Sequence, residues 1–281
     1  MHIFDFIQDI RSYLSSIRSE KTIGLVPTMG ALHEGHLELI RAAKAKSDLV
    51  VATIFVNPAQ FNKPEDLEKY PVRTETDLEM LSTVACDAVF MPETEVLYPS
   101  TPSLSIDFGS LETALEGEFR PGHFAGVGLI ISKLYNIIQP DHAFFGQKDI
   151  QQFYVIKKLT EELNFPVRLH MVDTVRERSG LAMSSRNLRL NSKELEEAAL
   201  IFATLRQAQK ELQNKHTIEQ VKSSLSDQFS KSNSLELEYF EVVDTTNFLP
   251  LKEIKSPPDT ALCIAAVLNG VRLIDNLPLI A

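Results

Sequence analysis

The chain has 281 residues, 44% of them hydrophobic and 23% charged, which suits one large or two modest folded domains and excludes wholesale disorder. Lys and Arg number 28 against 38 Asp and Glu, and the net charge of −10 argues against a general nucleic-acid or membrane-surface binder, since such proteins present a net basic face. A small anionic substrate held in a local basic pocket stays open.

Cys86 and Cys263 stand far apart and fit no metal-ligand or redox spacing, so both are expected to pack as small apolar side chains. The longest apolar runs, residues 49–56 and 261–268, are too short for the ~30 Å hydrocarbon layer of a bilayer. Asp5 and Asp9 stand where a secretory leader needs an uninterrupted apolar stretch. A reduced, soluble, cytoplasmic setting is expected, with no nucleic-acid or membrane partner.

In chain order, residues 22–28 (TIGLVPT) read as a short buried strand and 37–47 as a helix with Leu37, Ile40 and either Ala43 or Lys44 on one side. Residues 49–57 (LVVATIFVN) form a β-branched run expected of a strand covered on both faces. This is a right-handed βαβ crossover, the opening unit of an open parallel sheet. The alternation continues with a strand at 88–91, a helix at 130–139, a strand end at 143–146, a helix at 151–163 and a strand at 167–175. The fold class is therefore α/β, a doubly wound parallel sheet. After residues 186–190 the texture changes. Residues 193–214 predict a helix with Ser192 as N-cap, and 218–229 predict a second. Strands follow at 235–243 and 261–268, with Asn269-Gly270 as a two-residue hairpin before 271–274. A smaller α+β C-terminal domain of residues 187–281 is expected to follow a first domain of residues 1–186.

Three segments have the chemistry to hold an anion. Residues 27–36 (PTMGALHEGH) lie between the first strand and its helix, where Gly30 and Gly35 let backbone amides approach a ligand and His33 and His36 share the first helical turn. Two imidazoles with amides suit a triphosphate; a metal site is the weaker reading, since no further His or Cys accompanies them. Residues 145–152 (FGQKDIQQ) supply Gly146 at a turn, Lys148 as a point charge and Asp149 as a helix cap. Residues 179–187 (SGLAMSSRN) supply two hydroxyls and a guanidinium. Residues 116–127 (EGEFRPGHFAGV) read as a glycine-rich loop bordering a pocket, and Asn57 and Gln60 stand past the second strand as neutral hydrogen-bonding groups. Neither a dinucleotide fingerprint nor a P-loop lysine occurs.

His33-Glu34-Gly35-His36 resembles the His-x-Gly-His signature of the nucleotidylyltransferase superfamily. More narrowly, PTMGALHEGH, FVNPAQF, EGEFRPGHFAGV, GQKDIQQ and GLAMSSRN, in this order, resemble the pantothenate synthetase (pantoate–β-alanine ligase) family. The resemblance implies a Rossmann-type N-terminal domain with a C-terminal lid, usually in a homodimer. It implies a two-step ligation through pantoyl adenylate with ATP and Mg²⁺, giving pantothenate, AMP and pyrophosphate from pantoate and β-alanine. Carried over residue by residue, Met29, Gly30, Ala31, Leu32, His33, Glu34, Gly35 and His36 line the ATP site, which Gly146, Gln147, Lys148, Asp149, Val175, Met183, Ser184, Ser185 and Arg186 complete. Gln60 and Gln152 hold pantoate, and Gln60 borders β-alanine. His36, Lys148, Ser184, Ser185 and Arg186 are the expected catalytic set, with His36 the acid in adenylate formation. Asn57, Arg120 and His123 match family motifs without an implied role, and no protein ligand of Mg²⁺ is implied.

Two positions depart from the family pattern. Ser179 stands where an Asp often precedes Gly-Leu-Ala, and in residues 70–77 (YPVRTETD) the Arg-Thr pair is shifted by one, although Asp77 keeps its spacing from Tyr70. Other readings of the same donors are an adenylyl- or cytidylyltransferase acting on a phosphorylated acceptor, and a nucleotide-binding regulatory module without turnover.

Overall fold

A computed structural model describes residues 1–62, 64–229 and 234–279. Contacts divide the chain into a first unit of residues 1–146 and 152–173 and a second of residues 147–151 and 174–281. Within the second unit Arg176 and Ala182 bridge, and Arg176 pairs with Asp275.

The first unit is a six-stranded parallel sheet in the order β1 (His2–Phe4), β4 (Ala88–Phe90), β3 (Leu49–Ile54), β2 (Ile23–Thr28), β5 (His142–Gly146), β6 (Arg168–Val172). β2 and β3 are buried almost throughout, as runs covered on both faces must be. Helices α1 (Ile7–Ser15), α2 (Glu34–Lys44), α3 (Pro64–Glu68), α4 (Thr74–Thr83), α5 (Thr94–Leu97), α6 (Glu116–Phe119), α7 (His123–Ile138) and α8 (Ile150–Glu162) accompany the strands. Leu37, Ile40 and Ala43 of α2 are buried, as their spacing predicts. From β2 the chain moves outward through β3 to β4, then returns to build β5 and β6 on the other side. The strand order therefore reverses between β2 and β5, and ligands of such sheets bind beyond the carboxyl ends at that point.

The glycine-rich stretch read as a loop is helical instead: α6 and the first turns of α7 occupy it, and α7 begins at His123 rather than Ile130. Its glycines serve packing. A Cβ on Gly126 would lie 2.1 Å from the Ala59 carbonyl oxygen, and one on Gly128 would lie 2.6 Å from the Phe108 ring.

The second unit holds the antiparallel sheet β7 (Leu235–Asp244), β8 (Thr260–Leu268), β9 (Val271–Pro278) in that order. The hairpin at Asn269 and Gly270 forms with both residues at positive φ, 47° and 76°. Helices α9 (Ser192–Ala198), α10 (Leu200–Gln213) and α11 (Ile218–Phe229) complete the unit. Their apolar sides meet the sheet through Ile201, Leu205, Val221 and Leu225 against Val242, Leu262 and Ile264. The single helix expected over 193–214 is broken at Ala199. Its cap is Asn191, whose side chain accepts from the Glu194 amide while Glu194 reaches back to the Asn191 amide, so Ser192 is already inside the helix.

Candidate active site

Residues 29–36 begin past the end of β2. Gly30 and Ala31 both take left-handed torsions, φ 80° and 50°, and turn the chain sharply toward α2. The carboxylate of Asp77, from α4, accepts the amides of Ala31 and Leu32 at 2.8 Å each and is itself buried. Gly30 donates to Thr28 Oγ1, and Gly35 lies inside the helix with no special torsion. The backbone amides expected to face a ligand are therefore committed within the protein at Gly30, Ala31, Leu32, His33 and Gly35. The two imidazoles are the cationic-capable side chains of this segment.

His33 is the N-cap of α2. Its Nδ1 accepts the Gly35 amide at 3.2 Å, and His36 Nδ1 accepts the His33 amide at 3.3 Å, so the two rings form a capping box built from histidines. A nitrogen that accepts an N–H carries no proton, and the proton of each neutral ring therefore sits on Nε2. The ring centroids are 4.1 Å apart at the positive end of the helix dipole. Glu34 points elsewhere and pairs with Arg41 along the exposed face of α2.

Gln60 lies in a 3-10 turn, Pro58–Gln60, and is buried. Its Nε2 donates to Met29 Sδ at 3.0 Å, so a residue expected to hold pantoate meets one expected to line the ATP site. A thioether is a weak acceptor, and a ligand oxygen would displace it readily. Asn57, by contrast, is fully employed in the fold. Both its N–H groups go to Gln60 Oε1 and the Gly126 carbonyl, and its oxygen accepts from Tyr98 Oη and the Ala59 amide. Burial pushes the Tyr98 hydroxyl up to about 12, which keeps it a donor. His123 donates from Nδ1 to the Gln60 carbonyl at 2.9 Å, and its Nε2 faces Arg120 at 3.1 Å, while Arg120 pairs with Glu116. Arg120 and His123 thus hold the turn that carries Gln60. A cavity of about 420 Å³ opens beside Met29 and Gly30, with Phe55, Arg73, Met91 and Glu93 in its wall. Gln152 belongs to the first unit and is partly buried on α8.

In the second unit, Lys148 sits in a 3-10 turn, Gln147–Asp149, and lines a narrow cavity together with Ser184, Arg186 and Asp275. Asp149, read as a helix cap, pairs with Lys148 at 3.6 Å. Ser184 caps the short turn Ser185–Arg189 by accepting the Arg186 amide. Val175 and Met183 meet through the Met183 amide and the Val175 carbonyl at 3.0 Å. Ser179 Oγ accepts the Leu181 amide at 3.4 Å, so a hydroxyl caps this turn as a carboxylate could. Both cysteines are buried, and burial pushes the Cys86 thiol up to about 11, far from a reactive thiolate.

A family model for pantoate-beta-alanine ligase matches residues 2–278. The chain belongs to the pantoate-beta-alanine ligase family. The pantothenate synthetase of Cytophaga hutchinsonii is 46% identical over 276 residues, 98% of each chain. That of Porphyromonas gingivalis is 42% identical over 278 residues, 99% of each. The crystal structure of pantothenate synthetase from Thermus thermophilus superposes with a TM-score of 0.93 at 32% identity, covering 100% of both chains. A pantoate-beta-alanine ligase from Francisella tularensis, complexed with beta-gamma ATP and beta-alanine, gives a TM-score of 0.83 at 33% identity, covering 99% of this chain and 97% of that one.

Several residues that shape the site in this member of the ligase family carry no motif that marks them. Tyr98 orients Asn57, and Asp275 and Asn276 in the second half of β9 hold Arg176 and the Lys148 turn. For the last two the mark is structural: burial along β9 alternates until Ile274, after which two adjacent polar residues are both buried.

Proposed function

We propose that the chain joins pantoate to β-alanine in two half-reactions driven by ATP. In the first, a carboxylate oxygen of pantoate attacks the α-phosphorus, the bond to the bridging oxygen of pyrophosphate breaks, and pantoyl adenylate forms. In the second, the neutral amine of β-alanine attacks the acyl carbon, AMP leaves with the bonding pair, the amine proton passes to water, and pantothenate results.

The observation that carries this reading is the histidine capping box. It directs an Nε2–H from both His33 and His36 at the start of α2, beyond the carboxyl end of β2, where the sheet order reverses. Negative charge develops on phosphate oxygens during adenylation, and preorganised donors stabilise it without covalent chemistry. We assign that role to His36 with Lys148, Ser184, Ser185 and Arg186, and pantoate recognition to Gln60 and Gln152. The remaining residues of 29–36, 146–149, Val175 and Met183 complete the nucleotide site in this reading.

Mg²⁺ enters as part of the triphosphate substrate. Asp77 spends both oxygens on the 29–36 loop, while Glu34 and Asp149 pair with Arg41 and Lys148, which supports coordination through phosphate and water rather than a protein cage. Among the described residues no helix is long and apolar enough to cross a membrane. We propose a cytoplasmic setting on a separate ground, the sequence's two widely spaced cysteines. The family resemblance extends the reading to a homodimer, which sedimentation equilibrium tests.

Incubation with ATP, pantoate and β-alanine should give pantothenate and AMP by mass spectrometry, with pyrophosphate exchange into ATP that requires pantoate. Exchange that required a phosphorylated acceptor would transfer the assignment to a nucleotidylyltransferase. ATP binding with no AMP released from any carboxylate and amine would leave a regulatory module.

A further inference from the structure

Strand β9 carries two buried polar side chains in succession, Asp275 and Asn276, and both are spent on the loops that carry the proposed phosphate-binding groups. Asn276 donates one N–H to the Gln147 carbonyl and the other to the Lys148 carbonyl, each at 2.9 Å, and its oxygen accepts from Gln147 Nε2 at 3.3 Å. Both amide donors are thereby committed to the turn that holds Lys148. Asp275 takes Arg176 in a two-point pair, with Nη2 to Oδ1 at 3.0 Å, and also accepts the Asn276 amide at 2.8 Å. Arg176 donates in turn to the Gly180 carbonyl at 3.1 Å, and its guanidinium lies 3.7 Å from the centre of the Phe202 ring. The hairpin it grips closes between Arg176 and Ala182 and leads straight into Ser184 and Arg186.

A buried charge pair and a buried amide are costly ways to fasten two loops to a strand, since apolar side chains do so without desolvating polar groups. What polar contacts add is direction: each bond fixes the position of one backbone oxygen or one guanidinium. Here adjacent residues of one strand bond to both loops, whose Lys148, Ser184 and Arg186 line one cavity.

We infer that Asp275 and Asn276 are positioning residues for adenylate formation, with Asn276 acting through Lys148 and Asp275 acting, by way of Arg176, through the Ser184 to Arg186 segment. The inference rests on the proposed role of Lys148 and Arg186 at the phosphates. Misplacing a charged donor by an ångström costs about 10²-fold in rate, so Asn276→Ala should lower the rate constant of pantoyl adenylate formation to about that extent.

The test is a double-mutant cycle on pantoate-dependent pyrophosphate exchange in the full-length protein, with thermal midpoints recorded for every variant. If Asn276 acts through Lys148, Asn276→Ala loses most of its effect in the Lys148→Ala background, falling to about 3-fold or less. An equal loss in both backgrounds means that Asn276 holds the fold generally and overturns the inference, while leaving the role of Lys148 intact. Lys148→Ala with undiminished adenylation overturns that role, and this inference with it. If Asn276→Ala does not fold, Asn276→Ser, which keeps one donor, runs the same cycle under the same criteria. Asp275→Asn crossed with Arg186→Ala tests the second arm in the same way.

Discussion

The carboxylate of Asp77 holds Ala31 in a left-handed backbone conformation, φ 50°, by accepting its amide at 2.8 Å. A residue with a Cβ resists that region by about 1–2 kcal/mol, and the second bond from Asp77, to Leu32, pins the next residue as well. Asp77→Asn keeps one acceptor oxygen but turns an NH₂ group toward the other amide, leaving donor against donor in a buried place. We expect a loss of about 2–3 kcal/mol in urea unfolding, together with slower adenylate formation, because His33 follows Leu32 directly. A variant as stable as the wild type would show that the loop holds its shape without this carboxylate.

Gly126 sets the position of Gln60. An added Cβ would lie 2.1 Å from the Ala59 oxygen and 2.7 Å from the Gln60 Cα, and both are backbone atoms with no rotamer to yield. Gly126→Ala therefore lifts the 58–60 turn away from α7 and breaks the bond from Asn57 to the Gly126 carbonyl. Steady-state kinetics should show the KM for pantoate raised about tenfold or more, with ATP affinity by titration nearly unchanged. Unaltered use of pantoate would remove Gln60 from its recognition.

The parallel sheet was legible because β2 and β3 are long apolar runs separated by a helix of clear period. β1 was not, since three residues with two of them exposed carry no alternation. α4 was missed for a related reason: its buried positions are Asp77 and Leu81, and a buried carboxylate reads as a surface residue until its two amide partners are known. The helical glycines of α7 misled in the opposite sense, because packing against the 58–60 turn and Phe108 looks in sequence like loop chemistry. Motifs likewise named Asn57 and His123 without separating groups that hold a ligand from groups that hold Gln60. Only their hydrogen-bond partners make that distinction.

His170 makes folding stability sensitive to acid. Its ring stacks on Phe144 with centroids 4.6 Å apart, and its Nε2 stands 2.9 Å from His142 Nδ1. Burial, then the charges of His142, Lys46 and Arg168, lower its pKa below the ordinary 6.5. The unfolded chain then binds the proton more readily than the folded one, so stability is full above about pH 6.5 and falls as pH drops through the lowered folded value. His170→Phe keeps a ring against Phe144 but cannot titrate. Urea midpoints between about pH 7 and pH 5 should fall less steeply for this variant than for the wild type. Parallel slopes would assign the acid sensitivity to other groups.

The two nitrogens of His36 have separable duties, which a pair of amide substitutions can isolate. Nδ1 accepts the His33 amide at 3.3 Å and belongs to the helix cap, whereas Nε2–H is the donor assigned to the triphosphate. In His36→Asn the side-chain oxygen can replace Nδ1, so the cap persists, but nothing reaches the Nε2 position. In His36→Gln the longer side chain carries its NH₂ near the Nε2 position and fits the cap less well. The mechanism therefore expects opposite profiles. His36→Asn should keep its thermal midpoint and lose about 10²–10³-fold in single-turnover adenylate formation, the loss typical of one preorganised donor. His36→Gln should retain more of the rate while losing up to about 1 kcal/mol of stability with the cap. If His36→Asn forms pantoyl adenylate at a near-normal rate, the imidazole serves the helix and not the phosphates, and the proton-donating role passes to another residue.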